Sequence, residues 1–431
     1  MRLRTESGGT VMANRESMDN KFGRKALQVQ DAQKRILAYA TRLETETVPL
    51  EEVQGRYLAE NIAAPHPIPA FNRSGMDGYA VIAADTENCR EGGIVWLKVV
   101  DNIPCGSVPS GTIIPGTAAR IMTGAQVPEG ADAVVMLEAT EIRELDGIPH
   151  VGIRKPIASG RNVTPQGLEI SEGETVLSAG RKIAAGDIAV LATFGISGVP
   201  VIRRPKVGVF ATGSELLDVK EPLQPGKIRN SNTPMLEALV RETGGEPVML
   251  GAIADDLDLA RSKVQMALET YDLVITTGGV SVGDYDIMGD LVREEAGDML
   301  FNKVTMRPGS VTTAAVRGGK MLLALSGNPG ACFVGFQLFA HPVITNMQGS
   351  AEPFLPEWTV ILGADYSKVN NYTRFVRACL EVRDGSVYAY PAVNDESSAM
   401  VTIKDSDCLM IVPPEERGLT AGTKVQVIKL P

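Results

Sequence analysis

The chain has 431 residues, 44% of them hydrophobic and 22% charged, which is enough for roughly three domains with large cores of their own. Its 42 Lys and Arg against 52 Asp and Glu leave a net charge of -10, which argues against a sequence-blind nucleic-acid binder, whose affinity comes from clustered cations. Three His and five Cys lie scattered with no C-x-x-C pair, so a histidine metal centre, a zinc site and a disulfide frame are all disfavoured, and the cysteines read as reduced cytosolic thiols.

In chain order, residues 1 to 24 are polar and unpatterned, without the apolar core of a secretory signal. They read as a disordered extension, or as lying upstream of a start at Met18. Val29, Ile36, Leu37, Ala40 and Leu43 fall at helical spacing, and a second helical segment is expected from Pro49 to Ile62. The proline ladder Pro65-His-Pro-Ile-Pro69 predicts a stiff, extended connector. Short strands are then expected at 79–82, 94–100, 118–122, 133–137 and 150–153, punctuated by Gly and Pro, as in a small β-barrel or sandwich. A helix over 184–194 follows. Lacking a core of their own, the helices on either side of this β domain are expected to pack together.

From Lys206 strands and helices alternate. Strands are predicted at 207–212, 248–253, 273–277, 301–306, 311–316 and 321–325. A helix is expected after an Asn232-Thr-Pro234 cap, and another from Asp255-Asp256. This alternation predicts a doubly wound α/β domain with its ligands beyond the carboxyl ends of the strands. The run Met321 to Met347 has no Asp, Glu, Lys or Arg, but Ser326-Gly-Asn-Pro-Gly330 and Pro342 break it. A buried strand, a turn and a buried helix are expected there, not a membrane span. Beyond Pro353 five further strands predict a small barrel. The fold class is therefore multidomain α/β plus β. Its parts are an extension (1–24), an elongated N-terminal domain (25–65 and 157–203), an inserted β-barrel-like domain (66–156), an α/β domain (204–350) and a C-terminal β-barrel (351–431).

The stretch Asp272 to Asp286 holds the most chemistry. A buried strand runs straight into Gly278, Gly279 and Gly283, with Ser281 among them, and then into an amphipathic segment. Strand, glycine loop and helix in that order bind phosphate through backbone N–H groups, and the neighbouring Asp284 and Asp286 suggest an intervening Mg2+. A plain βα loop with helix-capping aspartates accounts for the same residues. At the other strand ends stand Thr212, Ser214 and Glu215; Asp255 and Asp256; Lys303 and Arg307; and Ser326 and Asn328. This mixture suits a phosphorylated ligand held through a divalent cation, with the basic side chains countering a second anion. No G-x-x-x-x-G-K-[ST] and no strand followed by G-x-G-x-x-G is present, which argues against P-loop ATPases and Rossmann dehydrogenases.

Six segments occur in the order of a known family: Ser74-Gly-Met-Asp-Gly-Tyr-Ala80, Arg120-Ile-Met-Thr-Gly-Ala125, Thr212-Gly-Ser-Glu-Leu216, Thr277-Gly-Gly-Val-Ser-Val-Gly-Asp284, Arg307-Pro-Gly309 and Ser326-Gly-Asn-Pro329. With them the chain resembles the molybdopterin molybdenumtransferases from about residue 25 to its C-terminus. The resemblance implies a cytoplasmic homodimer, with no nucleic acid or membrane partner, that inserts molybdate into adenylated molybdopterin and releases AMP. A molybdopterin adenylyltransferase and recipient molybdoenzymes are the implied protein partners. Carried over by motif, Asp77 and Thr123 come from the partner subunit, and Glu215, Asp255 and Asp286 lie near Mg2+. Thr212, Gly213, Ser214, Gly278, Gly279, Ser281, Gly283, Ser326 and Asn328 surround the pterin nucleotide. Lys303 and Arg307 hold anionic groups, and Arg377 and Ser398 admit molybdate. The sequence departs from the family pattern at Asn72 (often Asp), Arg307 and Ser310 (both often Lys), Ser326 (often Pro), Leu168 and Glu169 (often Glu-Asp) and Tyr372 (often Arg). An adenylyltransferase or a non-catalytic pterin-binding scaffold would share the α/β domain.

Overall fold

The computed structural model describes residues 26–91, 93–253, 257–278, 298–369, 371–414 and 417–431. The 1–24 extension, Asp255, Asp256, Gly279, Ser281, Gly283, Asp284, Asp286 and the amphipathic segment after it lie outside the described residues. The described residues form two compact units, one within 26–60, 179–185 and 198–431 and the other within 61–178 and 186–197.

The larger unit contains the α/β domain. Its elements are β1 (Lys206–Thr212), α1 (Asn232–Glu242), β2 (Glu246–Ile253), α2 (Leu257–Thr270), β3 (Leu273–Thr277), β4 (Asp298–Phe301), β5 (Thr313–Arg317), β6 (Lys320–Leu325), α3 (Pro329–Gly335) and α4 (His341–Met347), the last two joined by a π-helical turn. The sheet order is β2-β1-β3-β6-β5-β4, with the first four parallel and β5 and β4 antiparallel to their neighbours. Strand residues alternate between two cores. Val207, Val209, Leu273, Ile275, Leu323 and Leu325 enter one; Phe210, Val274, Leu322 and Ala324 enter the other, under α2. Burial on both faces is why these strands read as nearly continuous apolar runs. The chain moves from β1 out to β2, then back across β1 to β3. The order therefore reverses between β1 and β3, where open α/β sheets form their ligand crevices.

The N-terminal helix Val29–Leu37 buries Val29, Ala32 and Ile36 in the first of these cores. Helix Ala185–Thr193, with which it was expected to pack, falls in the other unit from Gly186 onward. The helix expected over Pro49–Ile62 is also absent. Pro49 ends a strand, Thr45–Pro49, that pairs antiparallel with Gly198–Ile202, and only a 3-10 turn, Leu50–Glu52, follows. Gly55 at φ +75° turns the chain away where a helix would have to continue.

Five C-terminal strands close into a barrel in the order Thr373–Arg383, Ser386–Pro391, Glu357–Leu362, Lys424–Lys429 and Cys408–Val412, the last pairing back to the first. Asp384 and Gly385, both at positive φ, make the hairpin turn between the first two. Met306–Arg307 pairs with Thr373–Arg374, so the α/β domain and the barrel share an edge.

The smaller unit is built on a six-stranded sheet ordered Ala133–Met136, Gly78–Val81, Thr117–Ile121, Val95–Ile103, Ile148–Ile153 and Thr140–Leu145. Its last strand, polar and exposed, was not expected from the sequence. As expected, Met321 to Met347 form a strand, a turn and a buried helical run. No helix among the described residues is long and apolar enough to cross a membrane.

Candidate active site at the strand ends

The parallel strands of the α/β domain end together, and their backbones meet with no room for side chains. Gly278 follows β3 at φ +94°, and a Cβ there would lie 2.2 Å from the Thr212 carbonyl oxygen at the end of β1. After β6, a Cβ on Gly327 would come within 3.3 Å of the Gly278 Cα. Thr212 donates its hydroxyl to the Thr277 carbonyl at 3.4 Å. The buried Thr277 hydroxyl accepts from Asn232 Nδ2 at 2.8 Å and donates to the Ser326 carbonyl at 3.1 Å. The same Asn232 nitrogen donates to the Gly327 carbonyl at 2.8 Å.

Asn232 was expected to cap its helix. It stands inside the first turn and makes no cap, while Asn230 Oδ1 takes the Thr233 N–H at 3.1 Å. With its amide drawn to two acceptors at the strand ends, the side chain cannot also serve the helix terminus.

Thr212, Gly213, Gly278, Ser326 and Asn328 are thus brought into one neighbourhood. Gly213 (φ +141°) makes space for a carboxylate: a Cβ there would lie 2.5 Å from Glu215 Oε2 and 2.7 Å from Oε1. Ser214 and Glu215 are exposed, and Lys227 donates to the Ser214 carbonyl. Among the described residues no three His, Cys, Asp or Glu side chains are grouped to hold a metal. Asp255 and Asp286 are outside those residues.

The barrel meets this region at Gly330, where an added Cβ would lie 2.3 Å from Arg377 Nη1. Arg377 is only 1% exposed. It donates to the carbonyls of Asn394 (3.3 Å) and Glu396 (3.1 Å) and to Thr402 Oγ1 (3.3 Å). Burial lowers its pKa and the charge of Asp395 opposes that shift; a guanidinium stays charged even so. Ser397 accepts the Ala331 N–H on its carbonyl at 3.2 Å, and its hydroxyl meets Asn328 Nδ2 at 3.2 Å; Ser398 beside it is exposed. Arg307 is exposed and stands over the Tyr372 ring, 5.8 Å from its centre. Lys303 is half-buried, and its carbonyl accepts the Leu27 N–H at 3.0 Å.

In the smaller unit, Asp77 and Thr123 are locked together. Asp77 Oδ1 accepts from the Thr123 hydroxyl at 2.6 Å and from its N–H at 2.7 Å, and these two bonds hold the exposed carboxylate below its usual range. Gly78 lets the strand behind it pass the next one, because a Cβ there would fall 2.0 Å from the Val135 carbonyl. Ser74 ties the two loops with its carbonyl, which takes the Gly124 N–H at 2.8 Å.

Sequence reading singled out neither Asn232 as a member of the site nor Thr277, Asp395 or Ser397. Asn232 carried a signal, a polar residue just before an apolar helical face, but that signal is shared by every helix cap.

The family model described as MoeA N-terminal region (domain I and II) matches residues 27–195. That for a probable molybdopterin binding domain matches 208–346, and that for MoeA C-terminal region (domain IV) matches 359–430. A molybdopterin molybdenumtransferase of Bacillus subtilis (strain 168) is 43% identical over 405 residues, covering 94% of each chain. Its counterpart in Staphylococcus aureus (strain MRSA252) is 43% identical, over 94% of this chain and 96% of that one. Among solved structures, a molybdopterin biosynthesis MoeA protein from Pyrococcus horikoshii superposes with a TM-score of 0.82 at 30% identity, covering 94% of this chain and 99% of that chain. The chain is therefore a transferase and belongs to the molybdopterin molybdenumtransferase family.

Proposed function

We propose that this enzyme inserts molybdate into adenylated molybdopterin, with Mg2+-dependent release of AMP, to give molybdenum cofactor. The reading is carried by the meeting of Gly278, Thr212 and Gly327 at the sheet's reversal point. Strand ends at such a point, running into glycine-rich loops, can receive a phosphorylated ligand on the backbone N–H groups that follow, without a basic side chain. Near-full-length identity to enzymes named for this transfer supports the substrate class.

Mg2+ fits the donor chemistry. It is commonly held by one or two carboxylates together with substrate phosphates, and Glu215 lies in a space that only a glycine at 213 leaves open. Glu215, with Asp255 and Asp286, would hold it; bound there it would neutralise charge on the phosphate oxygens as AMP departs. The protein's own contribution is to orient. Thr212, Gly213, Ser214, Gly278, Gly279, Ser281, Gly283, Ser326 and Asn328 position the nucleotide, and Lys303 and Arg307 counter its anionic groups. Arg377 and Ser398 flank the molybdate path, and Asp77 and Thr123 close the site from a second copy in a homodimer. The functional parts are residues 25–65 with 157–203, 66–156, 204–350 and 351–431. The enzyme works in the cytoplasm, between a molybdopterin adenylyltransferase and the molybdoenzymes that take its product.

The test supplies adenylated molybdopterin, Mg2+ and molybdate and follows AMP. Release should need both ions, and Glu215→Ala should abolish it at an unchanged Tm. Full turnover by that variant would overturn the assignment.

A further inference from the structure

Asp395 lies 4% exposed at the base of the barrel segment 394–398. It accepts from Tyr366 Oη at 2.5 Å, from Arg374 Nη2 at 2.9 Å and from Lys368 Nζ. The segment it carries has no strand or helix ladder of its own, so side-chain bonds decide where it sits. Arg377 grips the carbonyls on both sides of Asp395, those of Asn394 and Glu396. Two residues further on, Ser397 is bonded to Ala331 N–H and to Asn328 Nδ2, at the start of α3. A buried carboxylate shared by two cations and a phenol has a fixed geometry, and its loss leaves the mostly buried Arg374 guanidinium without that anion. Lys368 also pairs with the Glu396 carboxylate at 2.8 Å, so the segment is tied to the barrel at three successive residues, 394, 395 and 396, with Asp395 at the centre.

We propose that Asp395 is a positioning residue for the molybdate side of the active site: it fixes segment 394–398, and through Ser397 it fixes the start of α3 at Asn328–Ala331 and the placement of Ser398. Asp395 touches no substrate and acts through Ser397. The molybdate part of this statement rests on the function proposed above; the mechanical part does not.

Asp395→Asn keeps the shape and removes the charge, and Tyr366→Phe, which removes one donor, serves if the first variant does not fold. Val427→Ala, in the barrel core, is the control for simple loss of stability. Hydrogen exchange of the full-length protein should show the Ala331 amide exchanging roughly tenfold faster in Asp395→Asn, and unchanged in Val427→Ala. Steady-state AMP release should show KM for molybdate raised roughly tenfold, with KM for adenylated molybdopterin and kcat nearly unaltered. Unchanged exchange at Ala331, or a shift of all three kinetic constants in parallel with the control, overturns the proposal. Faster exchange in a protein whose wild type releases no AMP with molybdate would uphold the mechanical link while removing the function it was meant to serve.

Discussion

Asn232 gives one nitrogen to two acceptors on different strand ends, and the Thr277 hydroxyl among them is buried. Removing the amide leaves that hydroxyl without its donor, so Asn232→Ala should cost about 2 kcal/mol in urea unfolding. Gly278→Ala should cost more, about 3 kcal/mol or above, because the obstacle at 2.2 Å is a backbone carbonyl in a sheet and cannot swing away. An alanine variant as stable as the wild type would mean that the two strand ends do not touch as described. At the other locus the effect is electrostatic. Thr123→Val deletes the shorter of the two bonds that hold Asp77 down, so the carboxylate pKa should rise relative to wild type, as followed by carbon-detected NMR titration.

At the scale of elements, β3 is anchored by the residue that precedes it. Asp272, 6% exposed, receives both Arg203 Nη atoms at 2.7 and 2.8 Å and the Lys206 N–H at 2.9 Å. Burial raises its pKa, but the hydrogen bonds from Arg203 and Lys206 outweigh burial and the net shift is downward. A carboxylate with a depressed folded pKa stabilises fully above its unfolded value of about 4 and loses that contribution as pH falls through the folded value. Asp272→Asn should therefore cost about 3 kcal/mol at neutral pH, and the gap to wild type should close only below about pH 4. A gap that closes on raising the pH would contradict the assignment. How far such elements could be read in advance depends on what the sequence pattern reports. The β3 boundaries, Leu273 to Thr277, were legible because a strand buried on both faces is an unbroken apolar run. Thr140–Leu145 was not, since it lies exposed on the sheet edge and its residues are mostly polar; only the Asp146-Gly147 turn marked it. The glycine loops were legible as loops, but the bond between Asp77 and Thr123 was not, because it joins residues 46 positions apart. Pattern reports local geometry and burial, whereas long-range pairing of polar side chains leaves no period to detect.

At the scale of the whole molecule, the proposed homodimer makes a prediction that no single chain can satisfy. If Asp77 of one copy serves the strand-end site holding Glu215 of the other, Asp77→Ala and Glu215→Ala homodimers are each inactive for different reasons. A heterodimer of the two has one site that carries both lesions and one that carries neither. Random reassociation of equal amounts puts half of the dimers in the mixed form, so AMP release should return to about a quarter of the wild-type rate. Recovery should appear only after the chains are dissociated and allowed to re-pair, and a mixture that is never dissociated should stay silent. Each variant's fold can be checked beforehand, since Asp77 and Glu215 are both exposed and neither side chain fills a core. Re-paired chains that form mixed dimers yet stay inactive would place both carboxylates in service of the same chain's site, and the shared-site arrangement would fall while the family assignment stood.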